Sequence, residues 1–417
     1  MTNLIPMSQK EISAYAAVQN ALSGGMTTKE VAEREAVVAR TVRRWKAKVR
    51  ESGASGLIHG NRGRSSPHRL SKRERVRITT LIKSHYHDFG PTLAAEKLAE
   101  GHHLVHDPTT IRDLMVENGL WIPRAKRSGH TIVHRHWRER KAHRGELVQF
   151  DGSYHHWFED RGDTGEVCLL AAIDDATGLI PHATFAPHEG VLPVMGFWRD
   201  YVSQHGLPKA IYLDRFSTYK MHLTVARDNP DLKTQLQRAM QTLGTELIFA
   251  LSPQAKGRVE RLFGTLQDRL VKELRLHDIS SLAQGNAFLE KSFLPKFNSR
   301  FGVAPRETAD FHRVVSRREM KHIEETLCRH DWRTVQGDFT ISFRNQWYQL
   351  LPTPGLAVRP KDEVNVREDP NGALHFSIRH KPVSVTAIAK RPRQVGLRHL
   401  PGTLAPLLQN RTFSFPA

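Results

Sequence analysis

One apolar run limits the folds open to this chain more than any other feature of its sequence. Residues 167–174 contain Val-Cys-Leu-Leu-Ala-Ala-Ile-Asp, which is long enough to form a strand that is buried on both faces. Segments typical of strands and of amphipathic helices alternate around this run. We therefore predict an α/β core at residues 146–275 with a mixed five-stranded sheet. The predicted strands are Leu147–Ser153, Val167–Asp174, Ile180–Phe185, Ala210–Asp214 and Thr245–Ala250, and the predicted helices are Val191–Gln204, Leu232–Leu243 and Arg258–Leu274.

The charge is distributed unevenly over the 417 residues, whose net charge is +19. Lys and Arg number 27 against 14 Asp and Glu in residues 1–150, 17 against 18 in residues 151–300, and 18 against 11 in residues 301–417. Basic segments that flank a nearly neutral middle are typical of a protein whose ends hold a polyanion. A merely soluble basic surface would have the same composition.

The N-terminal segment 1–52 is predicted to be a helix-turn-helix module. A helix from Gln9 to Leu22 is followed by a short helix that begins near Thr27 and by a basic helix from Arg40 to Arg50. In the basic helix, apolar residues repeat at intervals of three and four and should face the core. The cations on the other side are predicted DNA contacts, although an ordinary solvated basic helix is the alternative; they are Arg40, Arg43, Arg44 and Lys48.

A basic linker at residues 53–70 follows, rich in Gly, Ser, Arg and Pro. Arg62 and Arg64 in this linker are further predicted DNA contacts. Residues 71–121 show three more helical segments and are predicted to form a second DNA-binding module. Residues 122–145 are predicted to be a basic connector, since their four histidines lack the spacing of a metal site.

Three acidic residues carry the chemistry that the sequence suggests. Asp151 lies in a predicted strand, Asp214 ends another, and Glu260 lies near the start of the long helix that begins at Arg258. Two acids from strands and one from a helix can meet at a single point, and hard divalent cations require such a cluster of oxygen ligands. Lys256 and Arg258, just before Glu260, are predicted phosphate contacts.

The C-terminal part of the chain changes character twice. Residues 276–330 are predicted to be a mostly helical extension. Residues 331–392 alternate apolar and polar positions between turn signals, which predicts a small antiparallel β-barrel. Residues 393–417 form a Pro-rich basic tail.

The segments around the three acids resemble the catalytic core of bacterial insertion-sequence transposases with a retroviral-integrase-like fold. The most specific match is Val-Glu-Arg-Leu-Phe-Gly-Thr-Leu at residues 259–266, and Phe-Asn-Ser-Arg at 297–300 is similar to the stretch that follows the core in that family. The resemblance implies an Asp-Asp-Glu triad on a ribonuclease-H-like sheet, carried by Asp151, Asp214 and Glu260.

The resemblance implies a two-metal mechanism on DNA. The triad would hold two Mg²⁺ ions, which Mn²⁺ can replace, with Asp151 bridging both ions. The enzyme would bind the terminal repeats of a transposon, cleave phosphodiester bonds to free 3′-hydroxyl ends, and join them to target DNA. Its partners would be double-stranded DNA, as transposon ends and target, and further copies of itself.

Two other functional classes remain open at this point. A transposase-derived regulator would bind DNA without catalysis, and a metal-dependent nuclease would cleave without joining. The two cysteines, Cys168 and Cys328, indicate neither a disulfide framework nor a cysteine-based zinc site. No signal-peptide pattern and no apolar stretch of 18 residues occur, so we expect no membrane association and a cytoplasmic, nucleoid-associated protein.

Overall fold

The computed structural model describes residues 7–62, 69–123, 139–162, 165–213, 229–249 and 257–389. The chain divides into two compact units, Met1–Lys126 and Arg127–Ala417. Three of the predicted site residues lie outside the described residues: Arg64, Asp214 and Lys256.

The first unit begins with a three-helix arrangement, as predicted. Ser8 and Thr27 each cap a helix through a complete capping box, with Glu11 and Glu30 as the respective partners. Buried side chains from all three helices, among them Val18, form one apolar cluster. The helices are α1 (Gln9–Leu22), α2 (Thr28–Arg34) and α3 (Ala39–Ser52).

Three further helices form a second cluster within the same unit. Ser71 caps the first of them by accepting a hydrogen bond from the Glu74 amide, and proline occupies the first turn of the other two, where its missing N–H costs nothing. The side chains of Ile82, Leu98 and Ile111 are completely buried between them. The helices are α4 (Lys72–His85), α5 (Pro91–His102) and α6 (Pro108–Glu117).

The second unit contains the predicted mixed five-stranded sheet. Its strand order is β3-β2-β1-β4-β5. Strand β2 is antiparallel to both of its neighbours, β1 and β3, whereas β4 and β5 run parallel to β1. The strands are β1 (Val148–His155), β2 (Val167–Asp174), β3 (His182–Ala186), β4 (Ala210–Leu213) and β5 (Glu246–Phe249). Every residue of β2 is buried, as its apolar run predicts.

Helices cover both faces of this sheet. Helices α7 (Val191–His205) and α8 (Asn229–Leu243) pack with alternate residues of β1 and β2 in one apolar cluster. Helix α9 (Gly257–Leu276) packs in a second cluster on the opposite face. The helical extension supplies buried residues to both clusters. Segments α10 (Leu282–Phe288), a π-helical turn (Leu289–Phe293) and α11 (Leu294–Phe301) pack in the second cluster, and α12 (Arg317–Thr326) adds Ile323 to the first.

The prediction that the C-terminal strands form a closed barrel is wrong. The described strands form two separate sheets, in the orders β11-β10-β9-β6 and β12-β8-β7, and closure would require a continuous ladder around both. The two sheets instead share one apolar core, to which Val364 and Phe376 contribute from one side and Ile341 and Leu350 from the other. The strands are β6 (Arg329–Thr334), β7 (Thr340–Phe343), β8 (Gln346–Leu350), β9 (Glu363–Glu368), β10 (Leu374–Ile378), β11 (Lys381–Pro382) and β12 (Val385–Ile388).

Candidate active site

Asp151 occupies the middle of the central strand of the five-stranded sheet. It pairs with Ala171 of β2, and its side chain is partly exposed. Val148 and Phe150 are buried in the cluster that contains α7, so strand alternation directs Asp151 to the other face, together with Gln149 and Ser153. Asp151 therefore faces the side of the sheet on which α9 lies.

Glu260 lies in the first turn of α9 and is exposed. Buried residues on either side of it in sequence anchor the helix to the sheet, including Val259, Leu262 and Leu266. An acidic side chain at this position is favoured by the partial positive charge at the helix N-terminus.

Two contacts define how α9 lies along β1. Near its start, the Arg258 guanidinium donates to the carboxylate of Asp175, which also accepts a hydrogen bond from Gln149 Nε2 at 2.8 Å. Farther along the helix, Gln267 Nε2 donates to Ser153 Oγ at 3.2 Å. The helix therefore runs in the same direction as β1.

The two contacts are separated by about the same length along the helix as along the strand. Nine helical residues from Arg258 to Gln267 rise about 13.5 Å, and four strand residues from Gln149 to Ser153 span about 13 Å. Asp151 is halfway between the two contacts on β1. Glu260 is seven residues, or about two turns, before Gln267 and so lies on the same flank of the helix. Asp151 and Glu260 consequently share one side of the sheet at adjacent levels.

The third acid, Asp214, lies outside the described residues. The strand just before it, β4, is hydrogen-bonded to β1 in parallel, and Tyr212 pairs with Gln149. Tyr212 and Gln149 are each two residues before a predicted catalytic acid.

Arg258, which the sequence predicts to contact phosphate, has an internal partner in the structure. Its guanidinium forms an ion pair with Asp175, and the exposed fractions of the two side chains are 17% and 0%. Arg258 also donates to the Asp175 carbonyl oxygen at 3.2 Å. The structure thus gives this arginine an internal partner, and Lys256 falls outside the described residues.

Helix α3 has the two faces that its sequence predicts. Val42 and Val49 are buried, and Trp45 packs against the same cluster. The opposite side is solvent-exposed and carries the four predicted cations Arg40, Arg43, Arg44 and Lys48. Of the two linker arginines, Arg62 binds the carboxylate of Glu11.

Glu189 is an acid that the sequence analysis did not consider, and it approaches β1 at Gly152, on the α7 face of the sheet and so opposite to Asp151. A Cβ atom at Gly152 would lie 2.6 Å from Glu189 Oε2, so this carboxylate approaches β1 where a glycine leaves space for it. Burial, followed by the charges of Glu189 and Asp151, raises the pKa of the Cys168 thiol. The only local signal for Glu189 is its place just before Gly190, the N-cap of α7.

Among the residues that the structure describes, no three His, Cys, Asp or Glu side chains lie close enough together to hold a metal ion, and Asp214 is not one of those residues. No helix in the described ranges is long and apolar enough to cross a membrane.

Comparison with known families supports the DNA-binding character of the first unit. A model of a homeodomain-like domain matches residues 41–115, which extend from α3 to α6. Together with the exposed basic face of α3, this match indicates that the first unit is a DNA-binding module.

Two curated relatives identify the family. A Sinorhizobium fredii protein named "Putative transposase y4bF" is 37% identical over 347 residues, which are 83% of this chain and 74% of the relative. The transposase for insertion sequence IS1202 of Streptococcus pneumoniae is 28% identical over 375 residues, which are 82% and 78% of the two chains. The chain belongs to the family of insertion-sequence transposases.

Solved structures of retroviral integrases are also similar. A chain of a simian T-cell lymphotropic virus intasome, solved with the PP2A regulatory subunit B56 gamma, matches with a TM-score of 0.33 and 14% identity, over 75% of this chain and all of that chain. The HTLV-2 integrase catalytic core domain with magnesium, in a trimeric form, matches with a TM-score of 0.28 and 16% identity, over 36% of this chain and 84% of that one.

Proposed function

We propose that this transposase is catalytically active and that Asp151, Asp214 and Glu260 form its catalytic centre. One observation carries the proposal: Asp151 and Glu260 lie on the same side of the sheet, at adjacent levels of a strand and a helix whose relative position is held by contacts at both ends. Asp214 directly follows β4, the strand that pairs with β1 next to Asp151.

The donor set fits Mg²⁺, with Mn²⁺ as a substitute. All three side chains offer carboxylate oxygens, which are the ligands that these hard cations prefer. Asp151 is partly exposed and Glu260 is exposed, so both can be reached from solvent. Two bound ions would activate the attacking oxygen and stabilise the leaving oxygen of a phosphodiester.

The protein's own contribution is rigid placement. Asp151 is held in a strand that is hydrogen-bonded on both sides, and Glu260 is held by the buried residues of α9. A carboxylate pair on such elements keeps its spacing while DNA binds and leaves, which is the condition for repeated in-line transfer.

We assign a separate role in transposition to each part of the chain. Residues 1–52 and 71–121 read the terminal repeats as double-stranded DNA, with the cations of α3 on phosphates and base edges. Residues 146–275 cleave the ends to free 3′-hydroxyls and join them to target DNA. Since two ends must be joined, the active form is a homo-oligomer on DNA, and the protein works at the nucleoid in the cytoplasm.

The test is cleavage and joining of a labelled duplex that carries the element's terminal repeat, in Mg²⁺ or Mn²⁺. Glu260→Gln should lower cleavage by at least about a hundredfold, equivalent to about 2.7 kcal/mol of barrier, because a metal ligand is lost. Its affinity for the duplex should stay within twofold, since the DNA-reading helices are untouched. Glu273→Gln, the same substitution about three and a half turns along α9, is the matched control and should retain full activity.

The outcomes separate the three functional classes. Joining by the unaltered chain and its loss in Glu260→Gln support the proposal. Cleavage without joining would indicate a nuclease, and specific binding without either reaction would indicate a regulator. Normal turnover in Glu260→Gln would refute the assignment of this residue as a metal ligand.

A further inference from the structure

Asp175 connects the two elements that carry the proposed catalytic acids. Its Oδ1 accepts hydrogen bonds from Gln149 Nε2 of β1, at 2.8 Å, and from the Arg258 guanidinium of α9. Its Oδ2 accepts from the backbone amide of Lys141 at 2.9 Å. A single carboxylate therefore ties the central strand, the helix on its face and the segment that leads into β1.

The positions of these contacts are related to those of the acids. Gln149 is two residues before Asp151, and Arg258 is two residues before Glu260. The same atom, Asp175 Oδ1, thus sets the level at which the helix begins relative to the strand. This link lies at the end of α9 nearest to Glu260, and the Gln267 bond to β1 lies about two helical turns beyond Glu260, so the link contributes directly to the distance between the two proposed metal ligands.

Asp175 is itself held firmly. Its side chain is completely buried, and its amide donates to the Leu147 carbonyl oxygen at 3.0 Å. The adjacent residue, Asp174, caps the following turn by accepting from the amide and the hydroxyl of Thr177 at 2.9 and 2.7 Å. The turn that carries Asp175 therefore cannot shift without breaking buried hydrogen bonds, each of which costs about 1–3 kcal/mol to leave unmade.

We propose that Asp175 is a positioning residue of the active site, which fixes the separation of Asp151 and Glu260 through Gln149 and Arg258. This inference rests on the proposed metal site. It assigns to Arg258 a role in metal affinity in place of a phosphate contact. Loss of a group that holds metal ligands in position without binding the metal itself typically lowers metal affinity by about 10–100-fold.

The decisive variant is Arg258→Lys, which keeps the charge but replaces the rigid guanidinium whose Nη1 donates to both the Oδ1 and the carbonyl oxygen of Asp175. The measurement is Mn²⁺ binding by the full chain, from the electron paramagnetic resonance signal of free Mn²⁺, beside the melting temperature. We expect the dissociation constant for Mn²⁺ to rise about tenfold or more.

Arg344→Lys is the matched control. Arg344 pairs through two nitrogens with Glu368, whose side chain is 6% exposed, in the C-terminal sheets. This substitution likewise replaces a guanidinium beside a buried carboxylate with an ammonium and should lower the melting temperature, because the two-nitrogen contact with the carboxylate is lost. It should leave Mn²⁺ binding unchanged, since this ion pair lies in the C-terminal sheets and is not part of the link between β1 and α9.

Gln149→Met is a second variant that is expected to fold well. Gln149 is fully buried and its Oε1 has no hydrogen-bond partner among the described residues, so an apolar side chain of similar size removes an unsatisfied atom. The variant nevertheless loses the bond from β1 to Asp175. We expect Mn²⁺ affinity to fall at least about threefold with only a modest fall in melting temperature, because removal of the unsatisfied Oε1 offsets part of the cost of the lost bond.

Each result decides the inference. Weaker Mn²⁺ binding in Arg258→Lys and Gln149→Met, with normal binding in Arg344→Lys, supports it. Normal Mn²⁺ binding in both test variants would overturn it and leave the proposed function intact. Absence of Mn²⁺ binding in the unaltered chain would refute the proposed metal site and the inference with it.

Discussion

Asn298 binds backbone groups at the edge of the five-stranded sheet, and its substitution gives a sharp test of the fold. Its Oδ1 accepts from the Ile180 amide and its Nδ2 donates to the Ile180 carbonyl oxygen, both at 2.8 Å. Asn286 does the same for Phe185, at 2.6 and 3.1 Å. Two side-chain amides thus bind backbone groups on the outer side of β3 and just before it, where an edge strand would otherwise be open to pairing.

The expected cost of Asn298→Ala follows from these bonds. Two hydrogen bonds are lost, and Ile180, which is fully buried, keeps an amide and a carbonyl without partners. At about 1–1.5 kcal/mol for each group, the free energy of unfolding should fall by about 2–3 kcal/mol. Asn298→Asp should cost at least as much at pH 7, because a carboxylate can accept from the amide but places a negative oxygen against the carbonyl.

The assay is urea unfolding of the full chain, followed by tryptophan fluorescence, since Trp157 and Trp198 are fully buried in the two clusters of this sheet. Ser299→Ala is the control, because the Ser299 hydroxyl is exposed and bonds only within its own helix, to the Lys296 carbonyl oxygen at 3.0 Å. It should change stability by no more than about 0.5 kcal/mol. A loss for Asn298→Ala as small as that of the control would refute the edge-closing role.

Two further predictions concern DNA binding and pH. Replacing Arg40 and Arg44 on the exposed face of α3 with Ala should make the slope of log affinity against log salt concentration less negative by about 1.8, because two phosphate contacts are lost. The control, Lys10→Ala on α1, should leave the slope unchanged. Equal slopes for the unaltered protein and both variants would argue against α3 as the DNA-contacting helix. Burial lowers the pKa of His182 to about 4, below its ordinary value of 6.5, so the unfolded chain takes up the proton first. Stability linked to His182 should be complete above pH 6.5 and should be lost as the pH falls towards 4, by about 2 kcal/mol at pH 5. Denaturation of His182→Gln should show a correspondingly smaller fall between pH 7.5 and 5, and an unchanged fall would contradict this origin.

The helix boundaries show how much short-range sequence signals can predict. The second helix is predicted to begin near Thr27, and in the structure Thr27 is its N-cap residue. The run at residues 167–174 is a strand with the predicted bounds. These signals work because a cap or an alternating pattern involves residues only two to four positions apart, so that the chain carries them whatever surrounds it.

The closure of the C-terminal sheets was not predictable in the same way. The alternation of apolar and polar residues in segment 331–392 correctly predicts strands, but it does not indicate which strands pair. Pairing depends on contacts between distant segments, and here β6 joins β9 while β7 joins β8. The result is two sheets that share a core instead of one closed barrel.

The sequence alone determined which residues could be strand, helix or catalytic acid, because those properties are written in local periodicity and side-chain chemistry. The tertiary structure decided what each charged side chain does. Arg258 was a reasonable phosphate contact by its position beside Glu260, yet it is paired with Asp175, which lies 83 residues earlier in the chain. The physical reason is burial: only a folded interior removes Asp175 from water and so makes an arginine its necessary partner.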